Sequence, residues 1–203
     1  MGRITVNLSV TLDGVMQAPG RPDEDPRDGF AFGGWALPYA DPEVGKRMSE
    51  GSDRIGALLF GRRTYLDFFG AWPGRTDGNP FTPVLNNSQK YVVSSTLREP
   101  LPWQNSTLLP GDAAASVPRL KREMDRDLLV LGSGVLVRSL LRQHLVDDLV
   151  LQIHPLVLGA GRRLFDEGAP PTGLRLVNSV TTSTGVVIAT YQPSGPAPAP
   201  GAA

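Results

Sequence analysis

Three short segments hold residue types suited to binding an anion. In LLFGRRTY, an apolar run ends at Gly61, and Arg62, Arg63 and Thr64 open a helical pattern. In YVVSST, strand-forming residues give way to the hydroxyls of Ser94, Ser95 and Thr96. In LLVLGSGVLVRSLL, a second apolar run meets Gly132, Ser133 and Gly134 and passes at once into a helix through Val135 and Leu136. Helix starts expose backbone N–H groups and the positive end of the dipole, glycine lets a ligand approach the backbone, and a serine hydroxyl adds a donor. Arg62 and Arg63 stand where a helix prefers anions; a bound phosphate removes that conflict, and solvent exposure tolerates it at small cost. Two common phosphate motifs are excluded: Val137 replaces the third glycine of G-x-G-x-x-G, and no G-K-[ST] occurs. Each segment taken alone fits a tight strand-to-helix turn as well as a ligand site. Together they describe one anion-binding edge, because ligands of open α/β sheets bind beyond the carboxyl ends of strands.

The elements that position these segments are legible from pattern. RITVNLSVTLDG alternates, with Ile4, Val6, Leu8, Val10 and Leu12 on one face and Asn7 on the polar face, which either meets solvent or lines a cleft. The strand ends at the Asp13-Gly14 turn signal. Residues 16–34 are rich in Gly, Pro and Asp without periodicity, as in a binding loop or lid. Asp41 with Pro42 predicts a helix start and Gly51 its end. The spacing predicts strands over 55–60, 91–94, 107–109 and 128–132, and helices over 62–69, 113–124 and 135–145. The last third reads as three β segments separated by Gly-rich turns. Alternating β and α followed by antiparallel β gives an α/β fold with a mixed sheet. One domain is expected over residues 1–192, and the Pro/Ala/Gly tail over 193–203 is expected to be disordered.

Composition narrows the chemistry. The chain has 203 residues with 20 basic and 20 acidic side chains, so a strongly basic nucleic-acid surface is not its theme. It has no cysteine and two histidines, His144 and His154, which removes thiolate chemistry and leaves a conventional metal site poorly supplied. No apolar run approaches a membrane span and no signal-peptide pattern opens the chain. A cytoplasmic protein without membrane or nucleic-acid partners is expected. His154 reads as a core or interface residue and His144 as a surface residue at a helix end.

FGRRTY, YVVSST and LGSGVLVRSLL, in this order and spacing, resemble the NADPH-binding elements of dihydrofolate reductase. They resemble more closely the reductase domain of the bifunctional riboflavin-biosynthesis deaminase–reductase and its stand-alone bacterial relatives. VTLDGVM resembles the first-strand signature of that group, and LVDDLVLQIHPLVLGAGRRLF its C-terminal signature. The resemblance covers nearly the whole ordered body. It implies a dihydrofolate reductase-like three-layer fold, a mostly parallel central sheet flanked by helices with antiparallel C-terminal strands.

The resemblance also implies roles. Gly61, Arg62, Arg63 and Thr64 would hold the 2′-phosphate and pyrophosphate of NADPH, with Ser94 and Ser95 at the 2′-phosphate end. Gly132, Ser133, Gly134, Val135 and Leu136 would cover pyrophosphate and ribose, and Val15 and Met16 would lie near the nicotinamide. An arginine fork flanked by hydroxyls favours NADPH over NADH. Trp35-Ala36-Leu37-Pro38-Tyr39-Ala40-Asp41 resembles, with one extra residue, the segment that carries the dihydrofolate reductase aspartate; Asp41 is thus a candidate proton donor and equally a helix N-cap. Asn7, Asp13, Phe32 and Trp35 are candidate substrate contacts, Asp13 also reading as a turn residue and the two aromatics as loop packing. The expected activity is NADPH-dependent hydride transfer to a C=N or C=O group of a small heterocycle of riboflavin, pterin or specialised metabolism, by a homodimer. The alternative is a non-catalytic NADPH-binding dimeric module or redox sensor.

Overall fold

The computed structural model describes residues 1–49, 52–76, 78–79, 81–165 and 171–196. The strands are β1 (Ile4–Thr11), β2 (Ile55–Gly61), β3 (Gln89–Ser94), β4 (Ser106–Pro110), β5 (Asp127–Leu131), β6 (Asp148–His154), β7 (Thr172–Thr181) and β8 (Val187–Pro196). The helices are α1 (Pro42–Ser49), α2 (Arg62–Ala71), α3 (Phe81–Asn87), α4 (Ala113–Glu123) and α5 (Gly134–Arg142). The strands form one mixed sheet in the order β4-β3-β2-β5-β1-β6-β8-β7. The chain divides into two compact units, Met1–Val6 with Gly51–Leu145 and Asn7–Glu50 with Val146–Ala203.

The first unit holds the parallel strands. Ala57, Leu58, Leu59 and Phe60 are wholly buried, which is how a central strand covered on both faces must read. β2 pairs in parallel with β3 on one side and β5 on the other, with Gly61 opposite Val93 and Leu59 opposite Val130. The carboxyl ends of β3, β2 and β5 therefore lie side by side. Helix α3 was not anticipated in the Pro- and Gly-rich stretch after Trp72. Asn79 accepts from the Phe81 N–H at its start, and Pro83 sits in the first turn, where a missing N–H costs nothing.

The second unit is built on β6, β8 and β7, which pair antiparallel, and on the end of β1. Along β1, Ile4, Val6, Leu8 and Val10 are buried as the alternation requires, each worth roughly 1.5–3 kcal/mol. Leu12 breaks the pattern: it is 65% exposed and Thr11 only 2%, because the strand ends one residue early. Thr11 N–H donates to the Val15 carbonyl and Val15 N–H to Thr11 Oγ1, which reverses the chain. β8 runs through Pro196, with Pro193 opposite Leu174 and Gly195 opposite Gly173, so residues 193–196 of the expected tail are strand. Residues 197–203 lie outside the described residues.

The segment 16–34 is pinned along its length. Val15, Ala18, Phe30 and Trp35 form a buried apolar cluster, with Leu156 and Leu158 packed against it. Gln17 is buried at the centre of its polar contacts. Its Nε2 donates to the Asp25 and Arg27 carbonyls, and its Oε1 accepts from Arg162 N–H. Gly161, at φ +115°, passes so close to Phe30 and Val15 that a Cβ would sit 2.6 Å from the phenyl ring. Only glycine fits there.

Candidate functional site

The first unit brings the three segments expected to bind an anion to one edge. Gly61 closes β2 and stands at the N-cap of α2, with Arg62 and Arg63 exposed in the first turn. Next to it, β5 ends in two consecutive left-handed residues, Gly132 at φ +55° and Ser133 at φ +57°, from which α5 departs. A side chain at Gly132 would press on the Thr64 methyl at 3.1 Å.

Helix capping separates this edge from the rest of the chain. Asp41 caps α1, Asn79 accepts from the start of α3, and Asp112 caps α4. Among the described residues, α2 and α5 have no side-chain cap. The first N–H groups of a helix have no partner within it. At α5 the first intrahelical bond is Val137 N–H to the Ser133 carbonyl, leaving the N–H groups of Gly134, Val135 and Leu136 ahead of it. Arg62, Arg63 and Thr64 hold the corresponding positions in α2. Two neighbouring helix starts, two arginines and the exposed Ser95 hydroxyl make an edge able to take several phosphate oxygens at once.

Two hydroxyls assigned to the ligand are engaged elsewhere. Ser133 Oγ accepts from Gly61 N–H at 3.0 Å and donates to the Leu131 carbonyl at 3.2 Å, and it is buried. Ser94, also buried, accepts from Thr96 N–H and Leu97 N–H and so directs the loop leaving β3. Both shape the edge from beneath.

In the second unit most candidate contacts prove to be structural. Val15 is fully buried, with its N–H and carbonyl both bonded to Thr11, so its side chain belongs to the core and not to a nicotinamide surface. Met16, half-buried, donates its N–H to the Arg162 carbonyl. Trp35 is buried, its indole N–H donates to the Gln17 carbonyl at 2.6 Å, and it meets His154 edge-on. It is no stacking platform for a heterocycle. Phe32 is exposed, edge-on to Phe30. Asn7 Oδ1 accepts from Gln152 Nε2 across neighbouring strands.

Asp13 holds two turns together. Its carboxylate accepts from Thr11 Oγ1 at 2.6 Å, from Leu158 and Gly159 N–H, and from Arg163. The Thr11 hydroxyl does most to lower its pKa, to about 2.

Asp41, the candidate proton donor, stands at the N-cap of α1, the other role its sequence context offered. One oxygen accepts from Glu43 N–H at 2.8 Å, and the other from the N–H and hydroxyl of Ser183. The Ser183 hydroxyl above all holds its carboxyl below the usual range. Asp41→Asn is expected to leave any single-turnover rate within about twofold of wild type while lowering the urea midpoint slightly, through the lost Ser183 bonds. A tenfold slower step with a shifted pH profile would assign the acid role to Asp41. His154 is a buried core histidine; burial depresses its pKa, and Nδ1 lies 3.0 Å from the Gln152 carbonyl.

Sequence reading passed over Lys90. Its side chain is wholly buried, and Nζ donates to the carbonyls of Asn86, Ser88 and Gln104 while lying 4.5 Å over the Trp103 ring. The alternation of Lys90, Val92 and Ser94 on the inner face of β3 was the available signal.

Among the described residues, no helix is long and apolar enough to cross a membrane. The model for the RibD C-terminal domain matches residues 3–188. The uncharacterised protein YyaP of Bacillus subtilis (strain 168) is 30% identical over 200 residues, covering 95% of this chain and 96% of that protein. Among solved structures, a putative riboflavin biosynthesis protein from Shewanella sp. PV-4 superposes with a TM-score of 0.65 at 21% identity, covering 95% of this chain and 99% of the other. Dihydrofolate reductase from Enterococcus faecalis, complexed with NADP(H), superposes with a TM-score of 0.60 at 15% identity, covering 95% and 97%. The fold is therefore dihydrofolate reductase-like, and with the match running from the first strand into the last, the chain belongs to the RibD C-terminal domain family.

Proposed function

We propose that this chain is an NADPH-dependent reductase acting on a C=N or C=O group of a small heterocycle, of the riboflavin-pathway type. The observation that carries the reading is the pair of uncapped helix starts, α2 and α5, side by side at the ends of β2 and β5 with Arg62 and Arg63 exposed in the first turn of α2. The dinucleotide supplies the hydride. The chain's own residues bind and orient: N–H groups of Arg62–Thr64 and Gly134–Leu136 take pyrophosphate oxygens, and Arg62, Arg63 and Ser95 take the 2′-phosphate. That an Enterococcus faecalis fold relative is complexed with NADP(H) supports the cofactor.

A second reading is favoured by one observation. The carboxylates of Asp13 and Asp41 are both engaged within the chain, Asp13 by Thr11, Leu158 and Gly159 and Asp41 by Glu43 and Ser183. Reduction then draws its proton from water, or the chain binds NADPH without turnover. Loss of reduced-nicotinamide absorbance with a panel of amino-pyrimidinones, dihydropterins and cyclic imines separates the two. Turnover with one class establishes the reductase. Tight binding with no turnover overturns it in favour of the binding module.

A further inference from the structure

We propose that Thr64 and Ser133 form a hydroxyl latch that sets the start of α5 against the start of α2, acting as positioning residues. The inference rests on the dinucleotide reading of this edge and concerns how the edge is built.

Ser133 occupies the N-cap of α5, where serine ordinarily accepts from an N–H of its own first turn. Here it makes no such bond. Its hydroxyl turns to the neighbouring element, accepting from Gly61 N–H and donating to the Leu131 carbonyl. Its own N–H donates to Thr64 Oγ1 at 3.0 Å. Two bonds thus join the turn after β5 to Gly61 and the first turn of α2, across 72 and 69 positions of sequence, and a third anchors Ser133 to the end of its own strand. Ser133 also holds a left-handed conformation, which is unfavourable for a residue with a Cβ and persists only where surroundings enforce it.

The latch has two effects. It withdraws the N–H groups of Gly61 and Ser133 from any ligand, and by refusing to cap α5 it leaves those of Gly134, Val135 and Leu136 for one. It also fixes the separation of the two helix starts. A pyrophosphate that touches both senses that separation, whereas a lone 2′-phosphate held by the arginines does not.

The test is calorimetric titration of the full chain with NADPH and with adenosine 2′-monophosphate. Thr64→Val keeps the shape of the side chain and removes the acceptor. It is expected to weaken NADPH about tenfold, the equivalent of one hydrogen bond's worth of alignment, and to leave adenosine 2′-monophosphate within about twofold. Thr64→Ser restores NADPH binding, since the hydroxyl and not the methyl carries the effect. Ser133→Ala reproduces the loss, and the double variant is no weaker than the weaker single one, because both break the same junction. If Thr64→Val fails to fold, Ser133→Ala and Thr64→Ser are read by the same criteria. Unchanged NADPH affinity in the folded variants, additive losses, or equal losses for both ligands would overturn the latch. A wild-type chain that does not bind NADPH would instead overturn the reading beneath it.

Discussion

Replacing Arg62 and Arg63 together by alanine is expected to weaken NADPH by roughly 30- to 1000-fold while changing NADH by no more than about threefold. Both side chains are exposed at the start of α2, where they oppose the helix dipole. Such an arrangement gains from a dianionic phosphate placed between the dipole and the guanidinium groups. Charge-assisted hydrogen bonds of that kind are worth roughly 2–4 kcal/mol for the pair, which sets the fold-change. NADH lacks the 2′-phosphate and keeps the backbone N–H contacts of both helix starts, so it is nearly indifferent to the change. The attraction is screened by salt, so wild-type NADPH affinity falls as ionic strength rises and that of the double variant falls less. Fluorescence titration of both dinucleotides at two salt concentrations reads every part of this. Equal losses for NADPH and NADH would remove the 2′-phosphate assignment.

Lys90→Met is expected to lower stability by about 3 kcal/mol with little change in dinucleotide affinity. The ammonium closes the end of α3 by bonding the Asn86 and Ser88 carbonyls, and it reaches the Gln104 carbonyl beneath the Trp103 ring. Methionine fills the space of the stem and leaves three inward-facing carbonyls without a donor, each an unmet desolvation cost of order 1 kcal/mol or more. In a chain of this size the thermal midpoint should fall by roughly 6–12 °C.

The same residue gives a pH signature. Burial pushes its amine from 10.5 down to about 8, so the folded chain releases this proton before the unfolded chain does. Between about pH 8 and 10.5 the unfolded state binds more protons at this site, and stability of the wild type rises with pH relative to Lys90→Met. Urea midpoints of both proteins across that window check the sign. A difference that stays flat or shrinks would show that the amine holds its proton in the fold.

The residues that read well from sequence were those whose role is local. Gly61 with Arg62 and Arg63 marks a strand meeting a helix, Asp41 with Pro42 marks a helix start, and the alternation along β1 placed four side chains inward. In each case a few adjacent residues determine the outcome, through periodicity or through backbone groups that only a neighbour can satisfy. Thr11 and Leu12 mark where that logic stops. A hydrogen bond to Val15 ended the alternation one residue sooner than apolar pattern alone implies.

Ser94, Ser133 and Trp35 show the other side. From sequence, a serine beside a glycine turn and a loop tryptophan are open donors and open surfaces. In the fold the two hydroxyls face inward bonds and the indole N–H meets the Gln17 carbonyl. Gln17 itself left no pattern to read, since its partners Arg27 and Arg162 are brought to it by the path of the loops.

By itself the sequence determined the family, most of the elements and the three segments that meet at one edge of the sheet. Those follow from composition at short range, where glycine, arginine and apolar period act on their immediate neighbours. The tertiary structure alone decided which donors on that edge remain unbonded and that the Asp41 carboxylate is tied to Ser183. Both depend on partners 69 to 142 residues distant, Thr64 for the Ser133 N–H and Ser183 for Asp41, and a hydrogen bond over that separation exists only once the chain has folded.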